Sequence, residues 1–441
     1  MKEYWNPIET MPRKELKELQ LKKLRSMIKS AYDNTPFYHK MFKEAGVKPD
    51  DVKTFEDFRK KVPIFEKDDM RNERAKTKDP LAGMLSSPIE ELLLLNPSTG
   101  TTGIPTFIAY SEAEIVQCTE MLSRLLWMGN ARTGDKMLSC HMNWHWLMVL
   151  LNGAYRKLGL HTMYDFVHPD IAERYVYYGG FKPDLMFMDQ PLLMAMRDEI
   201  REHAHCAPKD IYGGVKTLIT AGESFPPKFK SHLMDEFGVV GDVFDLYGCS
   251  ESHITAMECP VHNGNHFAED MFYVELIDPD TGEWIDPDSG GSGQLVVTNL
   301  FGRDMPFVRY NTEDVTFMET EKCECGRTHA RLKLRDRIPW RVTVDGKKLF
   351  PVDIRKVIEE FPETVEGAFT IVKDQQDMPE LNILLRYDEE ITKNPDELKP
   401  RIEAELANKL GVKANINWTT FSGLPIVFHK IERVTDLTKR K

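Results

Sequence analysis

The sequence contains no apolar run long enough to cross a lipid bilayer, and its first residues, Met1–Trp5, form no apolar signal-peptide core. These absences predict a cytoplasmic protein with no membrane partner. Basic residues are fewer than acidic ones: the chain has 58 Lys and Arg but 70 Asp and Glu, so its formal net charge is −12. This acidity argues against a broad surface for nucleic acid, although a local pocket can still hold a nucleotide.

Cysteine is infrequent and odd in number, with 7 residues in a chain of 441. Without an export signal, an odd count disfavours a disulfide framework. Internal repeats and long low-complexity segments are absent as well. The composition, 41% hydrophobic and 29% charged, is that of an ordinary globular protein, and a chain of this length is expected to form two domains.

A stretch rich in hydroxyl groups and glycine follows the apolar run Leu92–Leu95, which is predicted to be a strand. It reads Pro-Ser-Thr-Gly-Thr-Thr-Gly-Ile-Pro-Thr over positions 97–106. Glycine lets the backbone approach an anion, and hydroxyl and amide groups donate hydrogen bonds, so the stretch suits a phosphate-binding turn. It is not a Walker A loop, because no Gly-Lys-Ser/Thr follows. Taken by itself, the stretch also fits an ordinary surface loop.

Strand-like apolar runs alternate with helical periodicity between about residue 90 and residue 310, which predicts a layered α/β architecture. A small β subdomain is predicted after residue 270, where turns rich in Asp, Gly and Ser flank apolar runs. The predicted helices are 11–47 (broken near Pro36), 111–128 and 225–237, and the predicted strands are 217–220, 243–247, 272–277 and 294–298.

The chain after Arg337 predicts a second, α+β domain of ordinary size. We therefore expect a large N-terminal domain at 1–336 and a small C-terminal domain at 337–441. The small domain has predicted helices at 351–361 and 395–410 and predicted strands at 367–373, 380–387 and 414–420.

Further motifs follow the glycine-rich stretch in a fixed order. They are Ala-Gly-Glu at 221–223, Tyr-Gly-Cys-Ser-Glu at 247–251, Arg-Tyr-Asn-Thr-Glu-Asp at 309–314 and His-Lys-Ile-Glu-Arg at 429–433. Each is weak alone, but their order resembles that of the adenylate-forming superfamily and is most similar to the phenylacetate–CoA ligase family. The resemblance spans nearly the whole chain, including its Trp-Asn-Pro and Thr-Pro-Phe-Tyr segments near the N-terminus.

The resemblance implies an AMP-forming ligase that works in two steps. A carboxylate attacks the α-phosphate of ATP to give an acyl-adenylate and pyrophosphate, and the thiol of coenzyme A then displaces AMP. The implied partners are a small carboxylic acid, ATP with Mg²⁺, and coenzyme A, and a homodimer is left open. The implied fold is a large layered domain for ATP and the acid, with a small mobile lid that carries the catalytic lysine.

The resemblance also implies a role for each motif residue. On the phosphates it places Ser98, Thr99, Thr101, Thr102 and Ser250, with Gly100 and Gly103 permitting close approach. Around the base and ribose it places Gly222, Glu223, Tyr247, Gly248, Asp314 and Arg337. Glu251 would hold the metal, and Lys430 would reach the carboxylate and α-phosphate during adenylation as a point charge.

Plainer roles remain open for several of these residues. Asp314 also fits a turn or cap residue, and Lys430 a solvated surface charge. Ser250 and Glu251 also fit a helix cap. For Lys430, the Ile-Glu-Arg-Val-Thr-Asp that follows is similar to the family's Lys-x-x-Arg-Val-x-Asp ending and favours the catalytic role.

Cys323 and Cys325 form a tight chelating pair in the run Cys-Glu-Cys-Gly-Arg. Upstream lie Cys259, His262 and His266. Two thiolates from one hairpin, with a Cys and a His from another, would complete a structural Cys₃His zinc site. Some members of the family have a Cys followed seven residues later by His, which selects His266 over His262. Unrelated reduced thiols are the alternative.

The chain departs from the family at the domain junction, where Gly-Arg-x-Asp-Asp is usual and Asp-Arg-Ile-Pro-Trp stands at 336–340. Pro339 stiffens the backbone and Trp340 replaces the hinge acid. The hinge should therefore reach fewer conformations, and the thioester half-reaction is the step that the sequence leaves open.

The run Cys-His-Met-Asn-Trp-His-Trp at 140–146 lies where the family builds its acyl pocket. A lining of His141, Trp144 and His145 suits a flat, partly polar acid better than an alkyl chain, although a core helix explains the same residues. The sequence thus predicts a ligase for an aromatic or arylacetic acid with coenzyme A as acceptor. The alternatives are an adenylyltransferase or acyl-adenylate enzyme with a different acceptor, and a nucleotide-binding protein with impaired thioester formation.

Overall fold

The chain folds into two compact units, each assembled from separate stretches of sequence. The computed structural model describes residues 3–97, 107–140, 146–165, 180–302, 304–427 and 430–439. The first unit consists of Met1–Asp135, Asn143–Thr162 and Phe244–Leu334, and the second of Lys136–Met142, Met163–Val243 and Arg335–Lys441.

The predicted helix 11–47 is two helices in the first unit, separated where the sequence places a proline. Thr35 is extended and accepts a hydrogen bond from the Tyr38 amide, and Pro36 supplies the first residue of the next helix, where a missing N–H is tolerated. The helices of this unit are α1 (Arg13–Asn34), α2 (Pro36–Glu44), α3 (Phe55–Lys61), α4 (Lys67–Thr77), α5 (Glu112–Met128) and α6 (Trp146–Leu158).

Left-handed glycines end two helices of the second unit. Gly238 and Gly411, with φ angles of 64° and 66°, are the left-handed C-cap residues at which these helices end. Within the described ranges, no helix combines the length and the apolar character that crossing a membrane requires. The helices of this unit are α7 (Gln190–Glu199, extended by a π-helical turn over Ile200–Ala204), α8 (Pro208–Tyr212), α9 (Pro227–Phe237), α10 (Pro351–Ile358) and α11 (Pro395–Leu410).

The strands alternate with these helices along much of the chain. In chain order they are β1 (Leu92–Pro97), β2 (Phe107–Ser111), β3 (Lys136–Cys140), β4 (His161–Asp165), β5 (Leu185–Phe187), β6 (Thr217–Ala221), β7 (Asp242–Gly248), β8 (Thr255–Glu258), β9 (Asn265–Phe267), β10 (Phe272–Ile277), β11 (Trp284–Ile285), β12 (Gly293–Asn299), β13 (Tyr310–Glu319), β14 (Arg331–Arg337), β15 (Val342–Val344), β16 (Lys347–Leu349), β17 (Phe369–Lys373), β18 (Asp377–Met378), β19 (Leu381–Leu385), β20 (Ala414–Trp418), β21 (Ile426–Val427), β22 (Lys430–Ile431) and β23 (Val434–Asp436).

Antiparallel pairing dominates the first unit. Its strands lie in the order β11-β10-β12-β13-β14-β9-β8-β7, and β1 and β2 form a separate hairpin. β10 and β12 are buried along their whole length and pair residue by residue, from Phe272 opposite Asn299 to Ile277 opposite Gln294. The β subdomain predicted after residue 270 lies within the antiparallel part of this unit, which also includes β7, β8 and β9.

The second unit contains parallel strands with helices packed against them. Its order is β6-β5-β3-β4, and β3, β5 and β6 pair in parallel. Parallel strands need crossover connections, and α7 and α9 lie between successive strands in the sequence. Met186 and Leu218 of these strands share one buried cluster with Leu192 of α7 and Phe229 of α9.

The C-terminal part of the second unit has its own sheets and its own core. The strand orders are β20-β19-β17-β23 and β16-β15-β18, and β21 pairs with β22. Ile371, Ile383 and Leu406 are fully buried in one cluster here. A smaller cluster brings Ile431 of β22 against Met194 of α7, so the strand that carries Lys430 packs on that helix.

Candidate functional site

Part of the predicted site lies outside the described residues. This applies to the phosphate-loop residues 98–103 and to the predicted pocket residues His141, Trp144 and His145. The remaining predicted nucleotide, catalytic and metal residues are described and are distributed over both units.

Tyr247 and Asp314, which the sequence assigns to the base and the ribose, lie next to each other in the first unit. Tyr247 stands near the end of β7, and Asp314 in the middle of β13. Tyr247 Oη donates a hydrogen bond to Asp314 Oδ2 at 2.6 Å. This contact fixes the phenol ring beside a largely buried carboxylate.

Glu251, the predicted metal-holding carboxylate, lies in the turn after β7 and is 7% exposed. Its Oε1 accepts a hydrogen bond from Nζ of Lys67, the first residue of α4, at 2.6 Å. Lys67 carries no sequence signal of this contact, because 184 positions separate it from Glu251. The ammonium group of Lys67 therefore lies beside the Glu251 carboxylate, to which the sequence assigns a metal ion.

The rest of this motif differs in accessibility. Gly248 ends β7 and is exposed, and Ser250 is half-buried. Burial raises the pKa of the Cys249 thiol to about 12. The thiol is therefore protonated near neutral pH, which makes it a poor nucleophile.

Gly222 and Glu223 follow β6 in the second unit. Gly222 has a φ of 97°, a conformation that favours glycine. The Glu223 carboxylate accepts hydrogen bonds from Arg433 Nε at 3.0 and 3.1 Å and from Arg355 Nη1 at 3.1 Å. Two arginines thus hold the side chain of a residue that the sequence places beside the adenine.

Lys430 opens β22 and pairs with Val427 of β21. Its charge acts on Asp189, whose carboxylate caps α7 by accepting from the Leu192 amide at 3.2 Å. Burial raises the pKa of Asp189 to about 7, and the positive charge of Lys430 opposes that rise. Lys430 is half-buried, which is unlike a fully solvated surface lysine.

The junction segment is held by polar and aromatic contacts. Asp336 accepts hydrogen bonds from the amides of Arg337 and Val352, both at 2.9 Å, and so caps the start of α10. Burial raises the pKa of Asp336 to about 7. Residues Ile338–Trp340 form a 3₁₀ turn, and the Arg337 guanidinium lies 6.0 Å from the centre of the Trp340 ring.

The four residues predicted as metal ligands come together in the first unit. The ligand atoms of Cys259, His266, Cys323 and Cys325 all lie within 4.8 Å of one another. Cys259 Sγ is 3.7 Å from Cys323 Sγ, and Cys325 Sγ is 3.5 Å from His266 Nε2. His262 is not one of these four and instead stacks on Phe244 with ring centres 5.3 Å apart.

The chemistry of this cluster fits a metal ion. His266 Nδ1 donates to the His329 carbonyl at 3.0 Å, which leaves the Nε2 lone pair directed at the sulfur atoms, as in metal-binding histidines. The hydrogen bond from Cys259 holds the pKa of the Cys325 thiol far below its usual range. A lowered pKa favours the thiolate, the form that binds metals.

Residues of the N-terminal segment hold the hairpin that contains Cys323 and Cys325 through hydrogen bonds. Tyr4 Oη donates to the Cys325 carbonyl at 3.1 Å, and Arg327 Nε donates to Glu9 Oε2 at 2.8 Å. Gly326 has a φ of 86°, and a Cβ there would lie 2.2 Å from Tyr4 Oη, so both the backbone conformation and this close approach favour glycine. His329 Nε2 donates to the Ile8 carbonyl at 3.0 Å.

Residues 346–438 match the family model described as AMP-binding enzyme C-terminal domain. A phenylacetate-coenzyme A ligase of Pseudomonas putida is 30% identical over 360 residues, which cover 80% of this chain and 77% of that protein. The ligase of the same name from Thermus thermophilus is 28% identical over 392 residues, or 88% and 84% of the two chains.

A crystal structure of 2-hydroxyisobutyryl-CoA ligase in the postadenylation state superimposes with a TM-score of 0.87 at 23% identity, covering 99% of this chain and 92% of that one. This likeness confirms the predicted fold class, the α/β fold of adenylate-forming enzymes with a small C-terminal domain. The sequence identity extends over most of both chains and confirms the predicted family. The chain belongs to the phenylacetate–coenzyme A ligase family of adenylate-forming enzymes.

Proposed function

We propose that the protein is an ATP-dependent, AMP-forming ligase that activates an aromatic or arylacetic carboxylate and transfers it to coenzyme A. As a member of this family, it is a coenzyme A ligase that works through an acyl-adenylate. The aromatic acid is supported by the curated relatives, which are phenylacetate-coenzyme A ligases. The observation that carries the proposal is the contact of Tyr247 with Asp314, because it joins two separate family motifs into one polar site.

In this proposal, residues 1–336 bind ATP and the acid, and residues 337–441 form the lid. Asp314 accepts the ribose hydroxyls, for which a carboxylate has two acceptor oxygens. The Tyr247 ring, oriented by its bond to Asp314, stacks on the base. Lys430 supplies positive charge where negative charge develops as the acid attacks the α-phosphate.

Glu251 is the residue proposed to hold Mg²⁺, which neutralises charge on the phosphates when it is bound. The carboxylate suits this ion, since Mg²⁺ prefers oxygen ligands. Lys67 donates to Oε1 of the Glu251 carboxylate, so it would compete with the ion for Glu251 while it holds the side chain in place.

The Cys₃His cluster is proposed to hold a structural Zn²⁺ ion. Three thiolates and one imidazole fill the four positions of a tetrahedral zinc site, which leaves no position for a reactive water. The ion would tie the turn before β9 to the hairpin that contains Cys323 and Cys325. Its contribution is therefore to stability.

A screen of carboxylic acids by pyrophosphate release, with and without coenzyme A, tests the function. Aromatic and arylacetic acids are expected to give pyrophosphate, and coenzyme A should convert single turnover into sustained turnover with a thioester product. Pyrophosphate release without a thioester would point to a different acceptor. Nucleotide binding without pyrophosphate release for any acid would refute ligase activity.

A further inference from the structure

The side chain of Arg433, close to the end of the sequence, is buried and makes several hydrogen bonds. Its side chain is 3% exposed. Nε donates to both oxygens of Glu223, at 3.0 and 3.1 Å, and Nη2 donates to the same carboxylate. Nη1 donates to the carbonyls of Gly367 and Phe369, at 2.6 and 3.1 Å. The planar guanidinium matches this set of acceptors, which a lysine ammonium cannot reproduce.

Glu223 is fixed from a second side. Arg355 of α10 donates to Glu223 at 3.1 Å and to the Ser224 carbonyl at 3.1 Å, and it pairs with Glu359 one turn further along the helix. The buried charges of Arg433, Glu223, Arg355 and Glu359 therefore alternate in sign. Removing one member would leave a buried charge without its partner, which is strongly unfavourable.

This ion-pair network lies three residues from Lys430. Lys430 and Ile431 form the short strand β22, which pairs with β21 at two positions. Ile431 is buried against Met194, so the apolar side of the segment is held by packing. The Arg433 carbonyl also accepts from the Ile371 amide at 2.9 Å. Arg433 thus provides one polar attachment of the segment that carries Lys430.

We propose that Arg433 is a positioning residue for adenylation, and that its bonds to Glu223 hold Lys430 where the acid meets the α-phosphate. This inference rests on the proposed function, in which Lys430 acts in the first half-reaction. Placement of a charge within a few tenths of an ångström decides how well it stabilises a transition state. The attack of the thiol develops no comparable charge at Lys430, so the second half-reaction should depend less on Arg433.

The test compares the two half-reactions in R433K and E223Q. R433K keeps the charge but loses the paired hydrogen bonds, and E223Q keeps the shape but loses the charge. Adenylation is measured as acid-dependent pyrophosphate release, and thioester formation is measured from supplied acyl-adenylate. The matched control is R386K, because Arg386 has comparable ion pairs to Glu366 and Asp198 in the same unit. K430A gives the loss expected when the lysine itself is absent.

In R433K and E223Q we expect kcat for adenylation to fall about ten- to a hundredfold, with a much smaller change in thioester formation. In R433K the KM for ATP should change little, because Arg433 is not among the residues assigned to the nucleotide. Amide hydrogen exchange over residues 430–436 should become faster in both variants and stay unchanged in R386K. This measurement reports the anchor without requiring catalysis.

Equal loss in both half-reactions, or a pattern that matches R386K, would overturn the positioning role and leave only a structural one. Normal adenylation in R433K would overturn it directly. Adenylation by the wild-type protein distinguishes this failure from failure of the proposed function, since a wild-type protein inactive with every acid would refute both.

Discussion

The side-chain carboxyl group of Glu114, in α5, is buried beside the carboxyl group of Asp304. Its Oε1 accepts a hydrogen bond from the Asp304 amide at 2.9 Å, and Asp304 in turn accepts from the Ser111 amide at 3.0 Å. Burial, reinforced by the negative charge of Asp304, raises the pKa of Glu114 to about 8. Folding therefore takes up a proton between the unfolded pKa, near 4.5, and pH 8.

Stability should consequently fall as the pH rises from about 5 to 8, by at most about 1.4 kcal/mol per pH unit, because the unfolded chain ionises Glu114 and the folded chain does not. Glu114→Gln should flatten this slope and be more stable than the wild-type protein above pH 8. The amide can still accept from Asp304 N and donate to its carboxylate.

Urea unfolding at several pH values measures the slope. Glu112→Gln, an exposed neighbour on the same helix, serves as the control and should retain the wild-type slope. An unchanged pH dependence in Glu114→Gln would show that another group takes up the proton.

Individual residues could be predicted from the sequence where spacing and chemistry agree. Cys323 and Cys325 are an example, because two thiols one residue apart on a turn reach one point. Lys67, Glu114 and Arg355 carry no such pattern. Each acts through a partner far away in the sequence, and only folding brings the two together.

The hairpin that carries Cys323 and Cys325 is the element whose stability depends on the proposed zinc ion. Purified protein should contain about one zinc ion per chain. Cys325→Ser should lose most of the metal and lower Tm by about 5 °C or more, because binding of a structural ion adds to the folding free energy.

Metal analysis and thermal unfolding check this outcome, and Cys206→Ser, a half-buried cysteine in the second unit, is the matched control. Chelation of the wild-type protein should reproduce the loss in Tm. Full zinc content in both Cys259→Ser and Cys325→Ser would show that the ligand set is wrong.

Several regular elements were predictable because their apolar residues recur at the right interval. α11 has the predicted bounds, and β10 matches the predicted strand residue for residue. β13 was not predicted, since it begins with the polar run of the Arg-Tyr-Asn-Thr-Glu-Asp motif. Its polar residues are buried with partners, as when Thr312 Oγ1 donates to the Leu295 carbonyl at 3.0 Å. A strand whose buried residues are polar and hydrogen-bonded lacks the apolar pattern from which strands are predicted.

At the scale of the whole molecule, the junction at residues 336–340 sets how easily the proposed lid can move. Pro339 fixes its own φ and restricts Ile338, and Trp340 packs against the core of the C-terminal sheets. We expect lid rotation, and not chemistry, to limit thioester formation. Replacing Pro339 and Trp340 together with Asp-Asp should speed the second half-reaction several-fold and the first half-reaction less.

Single-turnover rates of both half-reactions measure the ratio. Pro362→Asp, which alters another 3₁₀ turn of the second unit, controls for general loosening. If the double variant merely loses stability and the ratio stays constant, the hinge lies elsewhere or rotation is not limiting.

The overall fold was predictable because several ordered motifs, each weak, agree on one family. The contacts that shape the candidate site were not, and the junction shows why. Asp336 stands where a family glycine is usual, and only the structure shows it capping α10 through the Val352 amide. A substitution in a motif shows which position differs from the family. The hydrogen-bond partner of the new side chain depends on the folded structure.

The bracing of the Cys-x-Cys hairpin by the N-terminal segment has a consequence for biosynthesis. Tyr4 and Cys325 are 321 positions apart. At about 5–20 residues per second, the ribosome needs roughly 15–60 s to deliver the hairpin after the N-terminal segment has emerged. Until then Tyr4, Ile8 and Glu9 lack these partners, so the contacts between the two segments form only after both have been synthesised.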